Sequence, residues 1–285
     1  MKKIAVIPNP LKDKNLKITK LVLNKIQSLG FVPFLEEKFS SLGLLGVEFY
    51  CEFPKECDLV IVIGGDGSVI DASSIAVTLG VPLLGVNLGR VGYMVEVDPD
   101  KLVLFEFLKS GEYDVEEKML LSVRKFDIHK NEIVSDRYAV NDVVISHNDY
   151  FGIADFMLEN ERNDHVRYRA DGIIVSTPQG STAYSLSAGG PVISHKLDSI
   201  TVTPVCPHSF FNRSIVYSPE EKIKISNVSD SIMNISIDGR LFERLNKDEC
   251  CEISMSEKRL KMVTFGENNV FSTLSKKIKS LQDYV

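Results

Sequence analysis

The stretch Gly64-Gly65-Asp66-Gly67 constrains the fold of this chain more than any other. It follows residues 59–63, five apolar residues in a row, which is the composition of a strand buried on both faces of a parallel sheet. Beyond it, apolar residues recur at helical spacing until Gly80, a residue type that commonly ends helices. The glycines are therefore predicted to lie on a strand-to-helix turn, where a backbone without Cβ atoms can wrap a phosphate and direct N–H groups to it.

Asp66 is the informative residue of this turn. A loop that only held phosphate would gain nothing from a carboxylate, because like charges repel. The carboxylate can instead hold a divalent metal between phosphates, or take a proton from a hydroxyl group that attacks phosphorus. The alternative is an aspartate that only caps the following helix.

Composition narrows the class of protein. The 285 residues are 44% hydrophobic and 25% charged, which is typical of a globular chain of one large domain or two smaller ones. A net charge of −6 and the lack of dense Lys/Arg runs argue against a nucleic-acid surface. No apolar run reaches the roughly 20 residues of a membrane helix. The N-terminal apolar run, interrupted at Pro8, is too short for a signal peptide, so we expect a cytoplasmic protein without a membrane partner. Five cysteines without zinc-like spacing predict free, reduced thiols, which agrees with that location.

The pattern along the chain predicts two domains. Residues 1–112 alternate strands (3–7, 31–35, 59–63, 81–86) with helices (16–29, 68–79, 99–108), which favours an α/β nucleotide-binding domain with a doubly wound, Rossmann-like parallel sheet. Residues 113–269 predict a β-rich domain with strands in 121–128, 133–145, 154–159, 199–205, 222–225 and 233–237. Residues 270–285 predict a C-terminal helix that packs back on the first domain.

Three further stretches carry polar groups suited to a nucleotide. Tyr93 lies in a second glycine-rich loop after the strand 81–86, where the alternative is ordinary packing. Asn141-Asp142 lies among strand formers, and its amide and carboxylate can bond a ribose diol or an adenine edge; the alternative is a structural turn. The segment 169–191 runs from a strand into a loop of small and hydroxyl residues, in which Tyr184 can stack on a base.

Together the glycine turn, the Asn-acidic pair and the segment 169–191 resemble the NAD kinase family. Residues 85–93, 203–209 and 236–239 are also similar to that family, so the resemblance covers nearly the whole chain. The lipid kinases of the diacylglycerol-kinase type and the phosphofructokinases share mainly the glycine turn, and the long segment therefore favours NAD kinase over them.

The resemblance implies an α/β domain followed by a β-rich domain, with NAD in the cleft between them. It implies transfer of the γ-phosphoryl group of ATP to the 2′-hydroxyl of the adenosine ribose of NAD, with a divalent metal, expected to be Mg²⁺, whose ligands cannot be identified. It also implies a homo-oligomer, a dimer or tetramer, whose subunit interface contributes to the site.

The resemblance also assigns residues. Asp66 is the expected catalytic base, and the phosphate-binding turn comprises Gly64, Gly65, Gly67 and Ser68. The expected NAD-binding residues are Asp66, Gly67, Tyr93, Asn141, Asp142, Arg169, Asp171, Thr182, Ala183, Tyr184, Ser185, Leu186 and Ser187. Three positions depart from the family pattern: Ser68 replaces Thr, Asp142 replaces the more frequent Glu, and Arg240 replaces Gln, which places a possible phosphate-binding cation near the ligand.

Two other functions remain as alternatives. A lipid kinase of the same superfamily would phosphorylate diacylglycerol and leave NAD unchanged. A non-catalytic NAD(P)-sensing module would bind the dinucleotide without turnover, although binding alone does not require a base at Asp66. The sequence leaves open the use of polyphosphate as donor, the use of NADH as acceptor, and feedback by NADP.

Overall fold

The structure, a computed structural model, describes residues 2–89, 92–127, 129, 131–148, 153–162, 164–208, 211–266, 273–275 and 279, with the backbone alone for 132–136. Contacts between residues divide the chain into two units, 1–117 together with 260–285, and 118–259. The prediction had placed the boundaries near residues 112 and 269. Within the described residues, no helix combines the length and the apolar character needed to cross a membrane.

The first unit is built on parallel strands. Its strands are β1 (Lys3–Pro8), β2 (Val32–Glu36), β3 (Glu48–Tyr50), β4 (Leu59–Gly64) and β5 (Leu83–Asn87). Its helices are α1 (Lys17–Ser28), α2 (Asp66–Leu79) and α3 (Phe105–Ser110), with 3₁₀ turns at Lys14–Leu16, Glu37–Leu42 and Pro99–Leu104. The predicted helix 99–108 is thus a 3₁₀ turn followed by a short α-helix.

The order of these strands explains where a ligand can bind. The five strands run β3-β2-β1-β4-β5 and every neighbouring pair is parallel. Chain connections leave in opposite directions from β1 and β4, so the crevice of a doubly wound sheet opens beyond the carboxyl ends of these two strands. The glycine turn follows β4 directly. The α/β fold class predicted from the sequence is confirmed in this unit.

The second unit is β-rich, as predicted. Its strands are β6 (Asp114–Phe126), β7 (Glu132–Ala139), β8 (Asp142–His147), β9 (Ala154–Glu159), β10 (His165–Ala170), β11 (Gly172–Ser176), β12 (Ile200–Val205), β13 (Ile215–Tyr217), β14 (Ile223–Asn227), β15 (Met233–Ile237), β16 (Arg240–Leu245) and β17 (Cys250–Thr264). A 3₁₀ turn at Gly180–Thr182 precedes the short helix α4 (Tyr184–Ser187). The first part of β17, residues 250–259, belongs to this unit, and residues 260–264 belong to the first.

Six strands of the second unit form an antiparallel sheet in the order β13-β12-β11-β8-β15-β16. One face of this sheet carries buried apolar side chains such as Ile145, Ile173 and Val202, which belong to the core of the unit. Alternate residues point to the opposite face, where Asp142, Ser176 and Thr201 lie side by side in register. A row of polar groups therefore runs across one end of the sheet.

One predicted element needs correction, and another lies mostly outside the described residues. The stretch 133–145, predicted as one alternating strand region, is two strands, β7 and β8, separated by a bend at Val140 and Asn141. The predicted C-terminal helix 270–285 lies outside the described residues except for 273–275 and 279, which are helical.

Candidate functional site

The glycine turn closes tightly at the carboxyl end of β4. A Cβ atom added to Gly64 would lie 2.3 Å from the Ser68 Oγ atom, so the close packing of the turn excludes any larger residue there. The Ser68 hydroxyl accepts a hydrogen bond from Asn9 Nδ2 at 2.8 Å. Ser68, predicted to bind phosphate, therefore also fastens the turn to the loop that follows β1.

Asp66 connects the two glycine-rich loops. Its Oδ2 atom accepts the Tyr93 backbone N–H at 2.9 Å, and its Oδ1 atom accepts the Met94 N–H at 2.9 Å. A Cβ atom at Gly92 would lie 2.3 Å from Oδ1, so glycine is required for this approach. Among the described residues, Asp66 caps no N–H group of its own helix, and Gly65 occupies the N-cap position. Each carboxylate oxygen keeps a lone pair for a further donor.

Tyr93 lies beside this carboxylate. Its side chain is partly buried, and burial together with the Asp66 charge raises the pKa of its hydroxyl above the ordinary value. Arg90, which belongs to the same predicted loop, lies outside the described residues. Gly64 to Ser68 and Tyr93, predicted from separate stretches, are therefore brought together at one edge of the sheet.

Lys12 lies beside the glycine turn, a position that the sequence analysis did not predict. Its Nζ atom lies 3.0 Å from the position that a Cβ atom of Gly65 would occupy, and its side chain is exposed. Lys12 follows β1, whose residue Pro8 pairs with Ile63 of β4 in parallel register. The two strands end at the same edge of the sheet. A lysine shortly after the first strand was therefore the sequence signal that could have predicted a cation beside the glycine turn.

In the second unit, Asn141 and Asp142 lie at the turn from β7 to β8. The Asn141 side chain is partly buried, and its amide makes no hydrogen bond with the described residues. Asp142 is only 5% exposed, and its carboxylate accepts the backbone N–H of Tyr184. The two neighbours thus differ. The Asn141 amide is available for a ligand, whereas the Asp142 carboxylate binds the segment 182–187, which contains predicted NAD-binding residues.

The loop after β11 folds back against this turn. The hydroxyl of Thr177 donates to the Val140 carbonyl at 2.7 Å, and the Thr177 N–H donates to the Asn141 carbonyl at 2.9 Å. A Cβ atom at Gly180 would lie 2.0 Å from the Asn141 oxygen, a backbone atom that cannot move aside alone. The loop therefore contacts the Asn-Asp turn at a distance that only glycine permits.

The predicted residues 182–187 differ in their exposure. Tyr184, Leu186 and Ser187 are exposed, and Thr182 and Ala183 are half-exposed. Ser185 is fully buried and its hydroxyl lies 3.2 Å from that of Thr203. The Ser185 hydroxyl therefore faces the protein interior and supports the loop.

Arg169 and Asp171 lie far from Asn141 in the same unit. Ser176 pairs with Asp142 and Gly172 pairs with Ser146, so Asp171 lies at the opposite end of the β8–β11 pair. Five residues of strand separate the two ends by about 16 Å. Arg240 is exposed and follows the turn from β15 to β16. The structure therefore does not bring Arg169 and Asp171 next to the Asn-Asp turn within one chain.

Burial and a second carboxylate change the acidity of this turn. Burial raises the pKa of Asp142 to about 7, and the charge of Asp238 adds to the shift. The pKa of Asp238 is also raised by burial, although three backbone N–H groups oppose the shift. The neutral acid is thus favoured in the folded chain more than in the unfolded one.

This acidity predicts a pH dependence of stability. Between the ordinary pKa of 3.8 and about 7, the folded chain binds more protons at Asp142 than the unfolded chain does. The contribution of this group to the free energy of unfolding therefore falls as pH rises through that window, by at most about 1.4 kcal/mol per pH unit. Asp142→Asn removes the titrating group but keeps an oxygen for Tyr184, so the variant should gain stability relative to the wild type from pH 5 to pH 8.

Urea unfolding at both pH values measures this difference. Asp248→Asn, which changes an exposed aspartate in a turn of the same unit, is the control and should show no such gain. An equal stability difference at pH 5 and pH 8 for Asp142→Asn would contradict the prediction.

The described part of the chain contains no preformed metal site made of protein side chains. No group of three or more His, Cys, Asp or Glu side chains there has the arrangement needed to hold an ion. Asp66 offers carboxylate oxygens at the glycine turn, which suits a cation that takes most of its ligands from water and phosphate.

Family models match both parts of the chain. The model described as the ATP-NAD kinase N-terminal domain matches residues 6–109, and that of the ATP-NAD kinase C-terminal domain matches residues 140–265. The glycine turn lies in the first match, and the Asn-Asp turn and the loop after β11 lie in the second.

Relatives and solved structures agree with these matches. The NAD kinase of Caldanaerobacter subterraneus subsp. tengcongensis is 35% identical over 98% of this chain and 99% of its own length. The NAD kinase of Caldicellulosiruptor bescii is 38% identical over 79% of this chain and 84% of its own.

The fold is shared with yeast NADH kinase, solved with NADH, at a TM-score of 0.84 and 20% identity over 96% of this chain and 86% of that one. It is also shared with an NAD kinase from Archaeoglobus fulgidus, solved with ATP, at a TM-score of 0.73 and 24% identity over 96% and 99%. With identity above 30% over nearly the full length of both chains, the chain belongs to the NAD kinase family.

Proposed function

We propose that this chain transfers the γ-phosphoryl group of ATP to the 2′-hydroxyl of the adenosine ribose of NAD, forming NADP. The observation that carries the proposal is the Asp66 carboxylate, which two backbone N–H groups hold at the carboxyl end of β4, in the turn where a phosphate is expected. A site that only bound the dinucleotide would not need a carboxylate beside a phosphate.

The chemistry assigns one step to Asp66. A secondary hydroxyl is a weak nucleophile, and a carboxylate within hydrogen-bond reach removes its proton as the new bond forms. The bond from the ribose 2′-oxygen to the γ-phosphorus forms, the bond from that phosphorus to the β–γ bridging oxygen breaks, and ADP leaves. Backbone N–H groups of the glycine turn stabilise the charge on the transferred group.

We also propose that a divalent metal enters with the donor rather than in a preformed protein site. The described residues offer carboxylate oxygens at Asp66 and no three-ligand cluster, which fits an ion such as Mg²⁺ that is held mainly by water and phosphate oxygens. When bound, such an ion offsets the negative charge of the donor phosphates. Loss of NADP formation on chelation, and its return on adding Mg²⁺, is the measurement.

Lys12 is proposed to bind the phosphates of the donor. Its ammonium group lies close to Gly65, and its side chain is exposed. Lys12→Met should raise the KM for ATP about tenfold, because a charge-assisted bond to phosphate is lost. The KM for NAD should stay within twofold of the wild type.

Steady-state kinetics with each substrate varied separately test this role, with Lys14→Met as control because Lys14 is exposed and two positions away. Lys12→Arg should retain most of the affinity. An unchanged KM for ATP in Lys12→Met would remove Lys12 from the donor site.

The function itself is tested by NADP formation from NAD, ATP and Mg²⁺ by the purified protein, read with an NADP-specific dehydrogenase. A signal that depends on all three supports the proposal. Polyphosphate in place of ATP tests the donor range, and NADH in place of NAD tests the acceptor. Phosphorylation of diacylglycerol without NADP formation would support a lipid kinase, and tight NAD binding without turnover would support a sensing module.

The family resemblance supports a cytoplasmic homo-oligomer, either a dimer or a tetramer. An oligomer would also account for Arg169 and Asp171, which lie about 16 Å along the strand pair from Asn141. If the subunit interface contributes to the site, these residues can serve the site of a second copy. Sedimentation velocity measures the state, and a monomer that retains full activity would contradict this proposal.

A further inference from the structure

Asp238 holds the turn that presents Asn141. Its Oδ1 atom accepts the N–H groups of Asn141 at 2.7 Å and Asp142 at 3.1 Å, and its Oδ2 atom accepts that of Val140 at 2.9 Å. One carboxylate thus binds three consecutive backbone donors that lie 96 to 98 residues earlier in the chain. A bend with this many N–H groups directed inward needs such an acceptor, because unpaired backbone donors are costly away from water.

The carbonyl side of the same turn is also fixed. Thr177 donates to the carbonyls of Val140 and Asn141, and Gly180 packs against the Asn141 carbonyl. The backbone around Asn141 is therefore held from both sides, while its side chain is only partly buried and its amide has no partner among the described residues. The arrangement fixes the backbone from which the Asn141 side chain projects and leaves its amide available for a ligand.

The backbone at Asp238 shows why an aspartate is present. Asp238 and Gly239 link β15 to β16 and have φ of +49° and +78°, the left-handed conformations of a two-residue hairpin turn. Asp and Asn tolerate this conformation better than other residues with side chains. Either Asp or Asn would form the turn. Only the carboxylate of Asp has two acceptor oxygens, so only Asp can accept the N–H groups of residues 140–142 with both side-chain atoms. The turn alone does not require Asp, whereas the three N–H groups do.

We propose that Asp238 is a positioning residue for NAD, acting through the backbone of residues 140–142 to hold the Asn141 amide in its binding orientation. This inference rests on the proposed function and extends it to a residue that acts through the backbone of the Asn-Asp turn. We call the three hydrogen bonds from residues 140–142 to the Asp238 carboxylate the clamp. Its loss would allow the Asn141 amide to move, which would weaken the binding of NAD and leave the binding of ATP unchanged.

Asp238→Asn is the most direct variant. It keeps the side-chain volume and an Asn-Gly turn, which suits this hairpin, but places an NH₂ group against a backbone N–H. We expect a KM for NAD at least tenfold higher, a KM for ATP within twofold, and weaker NAD binding by calorimetry without ATP. Asp238→Glu, which keeps the charge but is longer by a methylene group, should show the same pattern and serves if the first variant fails to fold.

A double-mutant cycle tests whether the effect passes through Asn141. Asn141→Ala removes the amide, so Asp238→Asn should raise the KM for NAD much less in that background than in the wild type. Additive effects would overturn the proposal, as would an unchanged KM for NAD in both Asp238 variants.

Asp248→Asn is the matched control, because Asp248 has φ of +64° in another turn of the same unit and is exposed. It should bind NAD as the wild type does. A wild-type protein that forms no NADP would contradict the proposed function instead, whereas an active wild type with unaffected Asp238 variants would contradict only the clamp.

Discussion

Asp66→Asn should lower kcat for NADP formation about 10²- to 10⁴-fold, the range that a positioned general base contributes. The amide keeps the size of the side chain but cannot take the proton of the 2′-hydroxyl. It also places an NH₂ group against the Tyr93 or Met94 N–H, so one of the two loop contacts is lost. Both substrates should still bind, because Asp66 is only one of the expected NAD contacts and the glycines of the phosphate-binding turn are unchanged. Calorimetry with NAD and with ATP measures this.

Two variants separate the loss of a base from the loss of a loop contact. Asp71→Asn changes an exposed carboxylate on the same helix and should keep normal turnover. Gly92→Ala keeps the Asp66 carboxylate but adds a Cβ atom 2.3 Å from its Oδ1 atom, which pushes the loop and the carboxylate apart. If Asp66 served only to hold the loop, Gly92→Ala would reduce kcat as much as Asp66→Asn does. We expect a smaller reduction.

Much of the first unit was predictable because its signals are local. The apolar run 59–63 and the helical spacing after it predicted β4 and α2 to within two residues. In the second unit, alternation alone placed β9 and β15 correctly, since both strands have one buried face. These patterns are reliable because each reflects the burial of several apolar side chains, and each such side chain contributes about 1.5–3 kcal/mol to stability.

The features that the sequence did not reveal depend on residues distant in the chain. The bend between β7 and β8 is set by the carboxylate of Asp238 and by Thr177, neither of which is a neighbour in sequence. Strand formers on both sides of Asn141 therefore predicted one continuous strand. Lys12 is near the glycine turn only because β1 and β4 are adjacent. The length of β17 was not predicted, because charged residues at 257–259 interrupt its alternation.

Gly180→Ala should have the largest effect among substitutions in the second unit. The new Cβ atom would lie 2.0 Å from the Asn141 oxygen, 2.4 Å from its carbonyl carbon and 2.8 Å from its Cα atom, so the whole turn or the whole loop must move. Overpacking against backbone costs about 3 kcal/mol of unfolding free energy. Since the displaced turn carries the Asn141 amide, the KM for NAD should rise at least tenfold in the protein that remains folded.

Gly189→Ala separates this clash from the general cost of replacing glycine. Gly189 lies in the same loop with φ of +87°, but its added Cβ atom would meet nothing within 4 Å. The left-handed backbone alone should cost about 1–2 kcal/mol, with the KM for NAD unchanged. Urea unfolding and NAD kinetics on both variants distinguish the two costs. An equal KM for NAD in both variants would mean that contact between the loop and the Asn-Asp turn does not affect NAD binding. It would then contradict the prediction that Asn141 binds NAD.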